Sequence, residues 1–114
     1  MKESPIFTRT YDLVRWLIPV TIKFPRQQRF VLAARIQHSV LNFHEQIIDA
    51  GLSQQPEPIL RRADVTLARL RVQWRLCRDL ELVSMGQYAH GARMLSEVGR
   101  LLGGWLKKDK EPTP

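Results

Sequence analysis

Four successive stretches of this chain carry apolar residues at spacings of three and four, and nowhere do apolar and polar residues alternate in the manner of a strand. Such a sequence has few ways to fold. Each stretch forms an amphipathic helix whose apolar stripe must be covered by the others, and the predicted fold class is all-α: an antiparallel up-down four-helix bundle. The first helix is expected from about Pro5 to Lys23, with Ser4 as N-cap, Pro5 at the first helical position, and Phe7, Tyr11, Val14, Leu17, Ile18 and Ile22 on one face. Pro19 is expected to interrupt or kink it, and Phe24-Pro25 to close it.

The second helix is predicted from Pro25 to about Ala50, its inward stripe Phe30, Ala33, Ile36, Val40, Phe43 and Ile47, with Gly51 as its stop. Ser53-Gln54-Gln55-Pro56-Glu57-Pro58 reads as the longest loop between helices. Helix three follows, about Glu57 to Glu81, with Ile59, Ala63, Leu67, Leu70, Trp74 and Cys77 inward. Ser84-Met85-Gly86-Gln87 has the form of a capping box and opens helix four, striped by Tyr88, Ala92, Leu95, Val98, Leu102 and Trp105. That helix is expected to fade at Gly103-Gly104. Residues 1–108 form the single expected domain, and 109–114 a charged, disordered tail.

With 114 residues there is room for one core and little for a separate substrate cleft. The lone Cys77 excludes an intramolecular disulfide and the usual zinc arrangements, and is most economically a small core residue. His38, His44 and His90 lack the spacing of a metal site, and no phosphate loop, dinucleotide fingerprint or nucleophile elbow is present. Asp64 and Asp79 lie among Arg61, Arg62, Arg75 and Arg78, where ion pairing within the helix is expected. The chain is therefore read as a non-enzyme without cofactor or metal. The most apolar run, Leu13 to Ile22, contains Arg15 and Pro19 and is about half of the ~20 residues a membrane span needs. No membrane partner is expected, and the expected compartment is the cytoplasm.

The net charge of +7 arises from 18 Lys and Arg against 11 Asp and Glu, and most of the cations are arginine. Arginine's planar fork grips phosphate and stacks on bases, so polyanions, nucleic acid first, are the expected partners. Lys23, Arg26, Arg29 and Arg35 follow one another without an intervening acid, and helix three adds Arg69, Arg71, Arg75 and Arg78. If about five to seven of these neutralised phosphates, affinity should fall with salt at a log–log slope of order −4 to −6. Helix one is apolar nearly all round, through Leu13, Val14, Trp16, Leu17, Ile18 and Val20, which calls for burial on more than one side. Gly99, Gly103 and Gly104 either allow close backbone approach or fray the last helix, and Trp105 is an anchor of core or interface.

Several local signatures occur together: Lys23-Phe24-Pro25-Arg26 with Gln28-Arg29-Phe30 and Arg35-Ile36; Arg75-Leu76-Cys77-Arg78-Asp79-Leu80; Gln87-Tyr88; and Glu97-Val98-Gly99-Arg100-Leu101-Leu102-Gly103-Gly104-Trp105-Leu106-Lys107. In combination, and over nearly the whole chain, they resemble the accessory variability determinant proteins of diversity-generating retroelements. Those proteins sit within a wider family of small four-helix bundles that includes the intervening-sequence proteins of bacterial 23S ribosomal RNA genes. Ala33 and Cys77 depart mildly from the pattern, where glycine and alanine are expected. The resemblance implies a homopentameric barrel that binds the element's reverse transcriptase and its template RNA, with DNA as a second candidate, in support of mutagenic cDNA synthesis. An RNA-associated or protein-interaction bundle of the intervening-sequence type is the alternative. The candidate binding residues are Lys23, Arg26, Arg29, Arg35, Arg69, Arg71, Arg75, Arg78 and Arg100, and the candidate interface residues Trp16, Leu17, Val20, Gly103 and Trp105.

Overall fold

Pro5 at the first helical position loses nothing by lacking an N–H, and from it a helix, α1, runs over Pro5–Ile22 in the computed structural model, which describes residues 4–110. Ser4 holds the N-cap position in an extended conformation, but its side chain makes no capping bond; its carbonyl accepts from Phe7 N at 3.1 Å instead. The helix continues through Pro19, whose ring faces solvent. The buried stripe matches the expected one only in part: Ile6, Thr10, Leu13, Leu17 and Thr21 point inward and Phe7, Val14 and Ile18 are half-buried against the core, while Tyr11 and Ile22 are exposed. Thr21 is accommodated there because its hydroxyl donates back to the Leu17 carbonyl at 3.1 Å and accepts from Gln37 Nε2 at 3.0 Å.

Phe24 plugs the corner after α1 and is 2% exposed. A short helical turn, Arg26–Gln28, leads into a wider π-helical turn, Arg29–Ala33, and then into α2, Ala34–Leu52. Ala33, Ile36, Val40, Phe43 and Ile47 face inward as expected, but Phe30 is 83% exposed. The π turn takes up an extra residue, so a stripe drawn at α-helical spacing through Phe30 loses phase there, and Leu32 is buried in its place. Gly51 does not stop α2 either. It lies inside the helix, where a Cβ would sit 2.7 Å from the Phe7 ring, so its bareness admits that ring.

α3 spans Glu57–Asp79 and buries Leu60, Ala63, Thr66, Leu67, Leu70, Trp74 and Cys77, close to the expected stripe, with Ile59 half-buried. It ends in a Schellman motif, with Leu82 N donating to Cys77 O at 2.9 Å and Glu81 N to Arg78 O at 3.0 Å. Glu81 takes the left-handed position, at φ 58°, which favours glycine. An acid there also opposes the helix dipole. Glu81→Gly should therefore stabilise the fold by about 1 kcal/mol, read as a rise of a few degrees in Tm. An unchanged or lower Tm would show that the conformation carries no strain.

The expected capping box is present. Gln87 N donates to Ser84 Oγ at 3.0 Å and Ser84 N to Gln87 Oε1 at 2.9 Å. From it α4 runs over Met85–Lys110, straight through Gly103-Gly104, so the expected fading at these glycines is not found. Residues 111–114 of the expected tail lie outside the described residues. Leu95, Val98 and Leu102 are buried, and Tyr88, Ala92 and Trp105 half-buried.

Each helix packs on its chain neighbours, and α4 returns to α1, closing a ring of four helices 53 Å long and 23 × 22 Å across. Loops as short as 53–56 and 80–84 make sequential helices antiparallel. No strand occurs among the described residues. Trp74, 1% exposed, anchors the α1–α3–α4 side: Trp16 meets it edge-on at 5.8 Å, Tyr88 stacks on it at 6.1 Å, and its Nε1 donates to the Tyr88 carbonyl at 3.1 Å.

Candidate nucleic-acid and partner interface

Up-down topology brings two stretches distant in sequence to the same end of the bundle. The corner between α1 and α2 carries Lys23 and Arg26, with Arg35 one turn into α2, and the α3–α4 connection lies beside it, following Arg75 and Arg78. Residues 14–40 and 69–97, which make up that half, hold ten Arg and Lys against three Asp and Glu; the other half, 4–13, 41–68 and 98–110, holds seven against six. Nearly all of the excess charge therefore sits at one end. The same end exposes Ile22, Phe30, Val31, Leu80 and Met85, so the surface is apolar as well as cationic.

Lys23, Arg26, Arg35, Arg69, Arg71, Arg75, Arg78 and Arg100 are all exposed. The structure does not gather them on a single face. At about 100° per residue, Arg69 lies some 160° around α3 from Arg71, on the opposite flank. Arg71 and Arg75 line the groove between α3 and α4, and Arg78 stands over the Tyr88 ring at 5.1 Å. Arg100 is on α4 in the other half, 4.0 Å from Glu97. Of Arg29, the backbone lies in the π turn.

Ion pairing divides these cations further. Arg78 donates to Asp79 at 2.9 Å, and that contact, with the charge behind it, raises the Arg78 pKa. Arg61 pairs with Glu57 at 3.0 Å rather than with Asp64, and Arg9 joins α1 to α4 through Glu97 at 3.0 Å. Among the described residues, Lys23, Arg26, Arg35, Arg62, Arg69, Arg71 and Arg75 make no ion pair, which leaves their charge available to an anion.

The expected interface residues fall mostly inside the protomer. Leu17 is fully buried in its core and offers no surface. Trp16, Val20 and Trp105 are half-buried, Trp16 against Trp74 and His90 and Trp105 against Phe7 at 5.9 Å. Gly103 and Gly104 are bare, with nothing within 4 Å of where a Cβ would stand. Sequence reasoning missed the outward apolar residues of α3, Val65, Val72 and Leu76, which are about half exposed. Their spacing of seven and four is a second, outer stripe that the strong inner one obscures.

No group of three or more His, Cys, Asp or Glu placed to hold a metal occurs among the described residues. Among the described residues, no helix is long and apolar enough to cross a membrane. Cys77 lies in the core, where burial pushes its thiol up to about 12. A thiol reagent should therefore label the folded chain negligibly near pH 8 and label it fully in denaturant. Because the folded-state value is raised above the ordinary 9.0, this group costs no stability below about pH 9 and lowers it progressively as pH rises toward 12. Rapid labelling of the folded chain near pH 8 would contradict the packing.

No curated protein matches the chain. A family model does, described as bAvd-like and aligned over residues 5–109, the whole of the four-helix unit. The chain belongs to the bAvd-like family, and is an Avd-type (bacterial accessory variability determinant) protein.

Proposed function

We propose that this protein is a non-enzymatic accessory of a diversity-generating retroelement, which binds the element's reverse transcriptase and its template RNA and so supports mutagenic cDNA synthesis. The concentration of unpaired arginines at one end of the bundle is the observation that carries this reading. Phosphate contacts from such a surface position a nucleic acid without reading its sequence, as a template-handling factor requires. The exposed Ile22, Phe30 and Val31 beside those cations fit a protein partner, because apolar patches rimmed by charge mark docking sites. The bAvd-like match supports the accessory role at the level of the family.

Self-association into a homopentamer belongs to the same reading. Val65 and Leu76 on α3, and the bare Gly103-Gly104 face of α4, are surfaces a lone protomer leaves uncovered. Light scattering at high salt, where electrostatic aggregates dissolve and apolar contacts persist, should give about five times the 13.3 kDa protomer mass. A monomer would contradict the barrel.

The accessory role is tested by co-purification with a retroelement reverse transcriptase. The parent chain should be retained, and a variant with Arg26, Arg35 and Arg75 changed to Gln should be lost with its Tm unchanged. Equal retention of the folded variant would remove these arginines from the binding surface.

A further inference from the structure

Between α3 and α4 a groove of about 280 Å³ opens near the basic end, and its lining is sorted by chemistry. Val72, Ala92 and Leu95 are apolar, Trp74 and Tyr88 are aromatic, and Arg71 and Arg75 bring cations that no carboxylate among the described residues neutralises. We infer that this groove is a subsite for one unstacked base of single-stranded nucleic acid, its phosphate held by Arg71 and Arg75. The inference rests on the nucleic-acid reading above and adds to it the form of the ligand and the place where it is gripped.

Size and shape set the occupant. The groove falls at the small end of ligand sites, so it takes one planar group rather than a helix. A base within a duplex keeps its faces on its neighbours and cannot enter, whereas an unpaired base can swing out onto aromatic and guanidinium surfaces. Tyr88 is a fixed wall rather than a bare stacking face: its ring lies 11° from parallel with Trp74 and Arg78 covers it at 5.1 Å, so the open planar surfaces for a base are the exposed Arg71 and Arg75 guanidinium groups. Arg71 is set into the groove because the residue facing it is Gly99, where any Cβ would collide with its guanidinium. The bare Gly99 thus leaves room for the guanidinium beside α4. Ser96, exposed at the rim, adds a hydroxyl within the same wall.

The test compares a labelled single-stranded RNA of about ten nucleotides with a hairpin duplex, titrated by the full chain and two variants. Ser96→Phe fills the groove from an exposed position and leaves the core intact. Tyr88→Leu removes the aromatic wall while keeping the backbone carbonyl that Trp74 uses. Each should weaken single-strand binding about 5- to 100-fold, and duplex binding less than about twofold. If Tyr88→Leu fails to fold, Ser96→Phe alone decides. Parent-like binding of both RNAs by folded Ser96→Phe would overturn the base subsite and leave the basic surface standing. A change of solution mass with unchanged RNA binding would assign the groove to a protein contact, and likewise overturns it. Failure of the parent to bind either RNA would remove the nucleic-acid reading along with the subsite.

Discussion

Replacing Trp74 with alanine should cost about 3–5 kcal/mol, a large share of the roughly 5–15 kcal/mol that holds a domain of this size together. Tm should fall by on the order of 15 °C. The side chain is almost wholly buried, is the largest in the core, and joins three helices through Trp16, Tyr88 and its own hydrogen bond. Gly91 faces it so closely that a Cβ would stand 2.6 Å from the indole. Gly91→Ala should therefore destabilise by about 1–3 kcal/mol from overpacking, even though alanine is the better helix former by about 1 kcal/mol. Thermal melts of both variants check the account. A loss under about 5 °C for Trp74→Ala would show that the aromatic cluster packs elsewhere.

Changing Arg26, Arg71 and Arg75 together to glutamine should reduce affinity for single-stranded RNA about a hundredfold near 0.15 M salt, taking two engaged contacts at a factor of ten each. The magnitude of the salt slope should fall by about 1.4, since each of the two phosphate contacts on a single strand contributes about 0.7. All three side chains are exposed and make no ion pair among the described residues, so the fold should keep its Tm. Changing Arg61, Arg78 and Arg100, which are engaged with Glu57, Asp79 and Glu97, is the matched control and should have the smaller effect. Equal losses from both triples would mean that total charge, not its placement, governs binding.

Much of the fold is legible in the residues. α3 and α4 have apolar faces on one side and charge on the other, so their stripes can be read at a spacing of three and four, and the Ser84–Gln87 box marks the start of α4 through chemistry that requires no tertiary contact. α1 resists the same reading because apolar residues nearly encircle it. Its inward face is set by which helices cover it, and Thr10 and Thr21, unremarkable in sequence, turn out to lie inside. An unbroken α-helix would place Phe30 inward, and the π turn at Arg29–Ala33 has no signature short enough to read.

The basic surface is legible in amount but not in arrangement. Composition supplies the excess of arginine, and the run from Lys23 to Arg35 shows where part of it lies. That Arg75 and Arg78 join that corner follows only from the up-down topology, and that Arg69 stands away from Arg71 follows only from helical phase. On a helix apolar all round Leu17 is an attractive interface residue, and the core claims it. Ion pairing, which separates the free arginines from the engaged ones, depends on side-chain distances that no spacing rule supplies.

Binding of nucleic acid at the cationic end through phosphate contacts is decided by the affinity of the full chain for single-stranded RNA across a range of salt. Binding should be tight at low salt, with a log–log slope of order −3.5 to −5, about 0.7 for each of about five to seven phosphate contacts. No binding at low salt, or a slope near zero, would contradict it.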